Sequence, residues 1–147
     1  MGSVTYPDLM VASLLNAYFV PVQVEIDEVS KLAAQYSAIW TPNLNVLDGE
    51  ENIIYRAEGW LPPSEIAAML LLARGHYYLR HKKFRDAGPT FDEVFVKYPQ
   101  SSFAPEALYY KGVSRYLVSH SVSDLKEDWI MLQRFYPTSI WAVRSNI

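Results

Sequence analysis

The stretch "IWTPNLNVLDGEENIIY", Ile39 to Tyr55, decides how the first half of this chain folds. Thr41-Pro42 opens a short apolar strand, Asp48-Gly49 makes a turn, and a second strand runs to Tyr55. The "LDGEEN" connection suits an antiparallel hairpin. Upstream, Asp8 is a candidate N-cap, and Leu9, Ala12, Leu14 and Leu15 fall at helical spacing up to Ala17 or Tyr18. From Phe19 the period changes to two. Val20, Val22, Val24 and Ile26 alternate with Pro21, Gln23 and Glu25, which predicts a strand with one buried face. Pro21 cannot donate to a ladder, so that strand is expected at an edge. A short helix from about Val29 to Tyr36 presents Leu32, Ala33 and Tyr36 on one side.

Downstream the reading is helical. Gly59 to Pro63 breaks the hairpin pattern, and "PPSEIAAMLLLARGHYYLRH" begins a long helix that Ser64 can cap. Further helices are expected at about Arg85 to Lys97, Phe103 to Val118, Ser123 to Phe135, and from Ser139. "KYPQSSFA" (Lys97 to Ala104) returns as "FYPTSIWA" (Phe135 to Ala142), a period of 38 residues. Phe91 matches Trp129 and Val94 matches Leu132 at that offset, while Gly75 matches Gly112 at 37. Leu71, Gly75, Tyr78, Ala87, Phe91 and Pro99 resemble the tetratricopeptide pattern of a large residue, a small one, then aromatic, Ala, Phe and Pro. In that reading Gly75 and Ala87 are small where two helices cross, Phe91 and Tyr78 fill the space beside them, and Pro99 ends the second helix. The second unit departs from the pattern, with Arg115 for an aromatic and Leu125 for the Ala.

The order helix, strand, helix, Thr-Pro, strand, turn, strand, Gly, helix resembles thioredoxin-like proteins. "NAYFVPVQVEID", "QYSAIWTPNLNVLD" and "IIYRAEGWLPPSEI" carry the resemblance, which covers about Thr5 to Leu72. It implies a cis Thr41-Pro42 bond and a proline loop that helps bind extended peptide. It also implies a Cys-x-x-Cys segment at the start of the first family helix, after a central strand. The chain has no cysteine, so neither disulfides nor cysteine-ligated metal nor intrinsic thiol redox work is available to it. Met1 stands where the methionine after the lost motif would be. Three explanations are open: a late-assigned or truncated start, a cloning remnant "MGS" on a trimmed domain, and a strand supplied by another chain.

The totals are those of a packed protein. Among 147 residues half are apolar and 14% aromatic, with eleven tyrosines and four tryptophans. Thirteen basic and sixteen acidic residues give a net charge of −3 without the basic stripe that nucleic acid wants. "IAAMLLLA" (Ile66 to Ala73) is too short to span a bilayer, and no signal peptide is visible at Met1. The compartment is left open, with the cytoplasm favoured if the start is genuine.

No catalytic, cofactor or metal residue is expected. His76, His81 and His120 lack paired spacing with carboxylates, and Glu25, Asp27 and Glu28 read more simply as a solvated loop than as an acid–base pair. The candidates for peptide or partner binding are Trp40, Thr41 and Pro42 on the proline loop, and Met69, Leu72, His76, Tyr109 and Tyr116 on the helices. Leu79, Arg80, Glu106 and Val113 complete the expected groove. The plain alternative is that this face packs against the thioredoxin-like part. The basic pairs that clamp a C-terminal carboxylate in some tetratricopeptide domains are absent.

The expected fold is α/β followed by all-α. A truncated thioredoxin-like part, residues 1–72, has a three-stranded mixed sheet and continues into tetratricopeptide-like hairpins, residues 64–147. They share the helix at about 64–81, so the two parts should move as one body. With the central strand missing, either the strands at Val20 to Ile26 and Leu44 to Leu47 pair directly in parallel, or a strand from another chain enters by β-augmentation. The functional expectation is a non-catalytic interaction or assembly module with protein partners. The competing one is the C-terminal portion of a thiol–disulfide oxidoreductase whose cysteines lie upstream.

Overall fold

The computed structural model describes residues 6, 8–24 and 30–146. Its elements are α1 (Leu9–Tyr18), α2 (Ser30–Gln35), β1 (Asn43–Leu47), β2 (Ile53–Glu58), α3 (Pro63–Arg80), α4 (Phe84–Lys97), α5 (Ala104–Ser119), α6 (Val122–Phe135) and α7 (Ile140–Arg144). The chain is α/β and then all-α. It divides into two compact units, Met1–Leu70 and Leu71–Ile147, and the division falls inside the continuous helix α3.

In the first unit, Asp8 caps α1 as expected. Its carboxylate accepts from the backbone N–H of Met10 at 3.0 Å and of Val11 at 3.2 Å, satisfying two of the donors that a helix start leaves over. β1 and β2 pair antiparallel from Asn43↔Glu58 to Leu47↔Ile53, with an irregularity between Val46 and Leu47. The Asp48 carboxylate organises the turn, accepting from the N–H of Glu50 and of Asn52 at 2.9 Å each. Thr41-Pro42 is cis.

The expected third strand is not formed among the described residues. Among the described residues the sheet has two strands, and residues 19–24 form neither strand nor helix. The rest of the expected strand, to Ile26, lies outside the described residues. Val20, Val22 and Val24 are 90%, 78% and 44% exposed, so the alternating pattern has no face to bury. An isolated extended segment gains nothing from alternation unless a neighbouring strand supplies ladder bonds and side-chain contact, and Pro21 removes one donor. Over the described residues 19–24 there is no parallel pairing with β1.

The second unit is built at glycines. A Cβ on Gly75 would stand 2.5 Å from the ring of Phe91, so α3 and α4 cross where only hydrogen fits. Gly112 repeats the device on α5, where a Cβ would lie 3.1 Å from the indole of Trp129 on α6. The same repeat governs the helix ends. Tyr98 and Tyr136 cap α4 and α6 at φ −131°, ψ 54° and φ −133°, ψ 54°. Each cap N–H bonds back one turn, to Val94 and to Leu132 respectively. Leu108, Leu132 and Ala142 form the core of the second hairpin, flanked by Phe95, Tyr109, Met131, Tyr136 and Trp141.

The departures from the repeat have a physical reading. Arg115 does not fill a crossing; it reaches Glu127 at 2.9 Å, Asp128 at 3.0 Å and Asp124 at 3.5 Å. Lys111 bridges Asp92 on α4 at 2.7 Å and the buried Asp128 on α6 at 3.2 Å. Burial alone would pull the Lys111 ammonium down, but its contacts with Asp92 and Asp128 outweigh this and leave it raised. An ion network thus holds α4, α5 and α6 where an aromatic was expected.

Candidate binding face

α3, α5 and α7 present a run of touching rings. On α3, His76 lies one residue beyond Gly75 and is nearly buried. Its Nε2 is 2.9 Å from Oε1 of Glu106 on α5, and its ring meets Phe91 and Tyr110 edge-on, at 5.3 Å and 4.6 Å between centroids. Tyr110 meets Trp141 of α7 at 5.4 Å. Tyr109 stacks on Trp129 at 4.8 Å and lies 5.2 Å from Trp141, while the Trp129 indole N–H donates to the carbonyl of Tyr109 at 3.1 Å. Arg144 covers the Trp141 ring at 4.7 Å.

The local sequence explains the arrangement. "GHYY" and "LYYKG" set rings next to the two crossing glycines; the glycines bring the helices close, so neighbouring rings on facing helices must touch. Burial raises the Tyr110 phenol above its ordinary value, Glu106 and Tyr109 push it further, and Arg144 and Arg80 oppose them. Tyr109, Tyr110 and Trp141 are half-buried. They offer flat apolar area with a hydroxyl or N–H at the edge, the combination that suits peptide contact.

The expected site residues have different fates. His76 and Tyr109 belong to this face. Tyr116 is half-buried one stretch further along α5, with His120 6.4 Å from its ring. Met69 and Leu72 do not belong. Both are fully buried, as are all residues from Ile66 to Ala73. A helix apolar all round buries every side, so its phase cannot separate groove from core. Trp40 and Thr41 are exposed and Pro42 is half-buried at one end of the hairpin, where the Gly59 N–H donates to the Pro42 carbonyl at 2.8 Å. Trp60 stands exposed at the same end.

Tyr110, Trp141 and Arg144 lie on the same face and are not among the residues expected from the sequence. The signal for Trp141 was the repeat itself, since it occupies in "FYPTSIWA" the place of Phe103 in "KYPQSSFA". Among the described residues no group of three or more His, Cys, Asp or Glu is placed to hold a metal, and no helix is long and apolar enough to cross a membrane.

No protein-family model, curated protein or solved structure matches this chain.

Proposed function

We propose that this chain is a non-catalytic protein–protein interaction module, with a tetratricopeptide-like array of helical hairpins joined to an incomplete thioredoxin-like part. One observation carries the reading: half-buried Tyr109, Tyr110 and Trp141 converge from α5 and α7 beside the His76–Glu106 pair. Rigid aromatic side chains lose little conformational freedom on binding, and their mutual packing fixes them before a partner arrives. His76 is enclosed by Phe91 and Tyr110, so it serves as a strut between α3 and α5 and not as a base reaching into a cleft.

Panning a random peptide library on the whole chain, followed by residue-resolved NMR mapping of the enriched peptides, tests the proposal. Chemical-shift changes should centre on His76, Tyr109, Tyr110 and Trp141. Failure to enrich any peptide, or shifts confined to other surfaces, would overturn it.

A further inference from the structure

The connection between α3 and α4 concentrates positive charge. Arg80, His81, Lys82, Lys83 and Arg85 fall within six residues, and all are exposed. Four are permanent cations in a chain of net charge −3, so without these four positive charges the remainder stands at −7. The turn is fixed by its backbone. Lys82 adopts φ +59°, its N–H donates to Leu79 at 3.1 Å, and the Lys83 N–H donates to Tyr78 at 2.8 Å.

This charge adjoins the aromatic face. Arg80 lies one helical turn beyond His76, on the same side of α3. From His76 the rings run to Tyr110 and on to Trp141, which Arg144 covers at 4.7 Å. Apolar rings are therefore bounded by cations at both ends. Glu106 lies on this face, with His76 at 2.9 Å. Asp86 lies in the first turn of α4, next to Arg85.

We propose, resting on the partner-binding reading above, that the face takes an acidic peptide segment. Its carboxylates meet the Arg80–Lys83 turn and Arg144, and an apolar side chain lies on Tyr110 and Trp141. Charge complementarity carries the assignment. Cations spaced within a Debye length of about 10 Å act on a ligand together, whereas the acidic remainder of the chain repels a long polyanion. A short segment can use the patch without meeting that repulsion, and the adjoining rings give its apolar residue a place that a nucleic-acid backbone would leave empty.

The test is fluorescence anisotropy on the whole chain. The probe is a short labelled peptide, N-acetylated and C-amidated, in which Asp and Glu alternate with Leu and Tyr. Its counterpart carries Asn and Gln instead. The acidic peptide should bind, more tightly at low salt, with the amide counterpart weaker by about tenfold or more. Lys82→Asn combined with Lys83→Asp should weaken the acidic peptide by about tenfold. Asn tolerates the left-handed backbone at 82, and Asp suits the N-cap of α4, so the circular dichroism should not change. Arg144→Gln should weaken binding independently. Equal binding of both peptides would overturn the charge assignment while leaving the partner-binding face in place. Tighter binding of polyuridylate or of phosphatidylserine vesicles than of the peptide would also overturn it. If neither peptide binds and panning maps nothing to this face, both readings fall.

Discussion

Trp40 and Trp60 stand 68% and 60% exposed, whereas Trp129 is 8% exposed and Trp141 is half-buried against Tyr109 and Tyr110. The same residue type has two fates in the two units. In the second unit glycines bring α3 close to α4 and α5 close to α6, so large rings find opposing surfaces. In the first unit the apolar residues of 19–24 and 39–40 have the right pattern and no opposing element among the described residues. Burial needs a partner surface as well as an apolar side chain. Packing density, more than composition, separates the two units.

The largest expected effect sharpens this contrast at the tightest crossing. Gly75→Leu should destabilise the second unit by about 3 kcal/mol, because overpacking outweighs the roughly 1 kcal/mol of helix propensity gained on losing a glycine. Thermal unfolding should fall by about 10 °C. Gly112→Ala has more room, 3.1 Å against 2.5 Å, and the two terms should nearly cancel, within about 0.5 kcal/mol. Equal losses at both glycines would break the picture of one tight and one looser crossing.

Next comes Asp128→Ala. The carboxylate is buried between Lys111 and Arg115, and its removal takes away their shared buried partner while leaving Lys111 with Asp92 and Arg115 with Glu127 and Asp124. A fully buried pair would cost more, but both cations are partly solvated, so the loss should be about 2 kcal/mol in urea unfolding. A neutral result would show that the network is surface decoration.

Alkaline pH should then weaken the second unit. Tyr110 and Tyr136 are raised above 10.0, chiefly by burial, and Lys111 is raised above 10.5 by Asp92 and Asp128 against its own burial. Each holds its proton more tightly folded than unfolded. Their contribution is therefore fully present below pH 10 and is lost as pH climbs through and above that range. Chemical unfolding followed by far-UV circular dichroism should show flat stability up to pH 9.5, to about half a unit, then a fall. Stability that rises above pH 10 would contradict the raised pKa values of Tyr110, Tyr136 and Lys111.

The smallest effect on stability belongs to the first unit. Val20→Ser with Val22→Ser removes exposed side chains and should leave Tm unchanged to within about a degree. If these valines recruit a strand from a second copy, the double variant should also sediment as a smaller species than the parent chain. A large drop in Tm would mean that residues 19–24 are packed after all.

Helix positions were legible in the sequence because α3 to α7 carry 3.6-residue periodicity, breakers at their ends and a second copy to check against. The repeat pairs Gly75 with Gly112 and Phe91 with Trp129; it places Phe91 beside a Gly75–Ala87 crossing, whereas in the structure each glycine faces the aromatic ring itself. Over the described residues 20–24 the expected strand does not form, for a specific reason: alternation reports a strand's potential face and says nothing about whether a neighbour exists. On the ring-lined face, helical phase places His76 and Tyr109 together, as the structure does. Met69 and Leu72 share the groove phase with His76, but the residues around them on α3 are apolar on every side and both are buried. The basic turn escaped notice because two lysines and two arginines interrupted by His81 and Phe84 average out in a chain of net negative charge.

Hydrogen exchange on the whole chain, alone and with the acidic probe peptide, tests the central claim most directly. Exchange should be slow across α4, α5 and α6 in the free protein and fast at residues 19–24, with added protection on binding at the end of α3, along α5 and in α7. Uniform protection in the free chain, or added protection at residues 39–42 and none in α5 and α7, would contradict that claim.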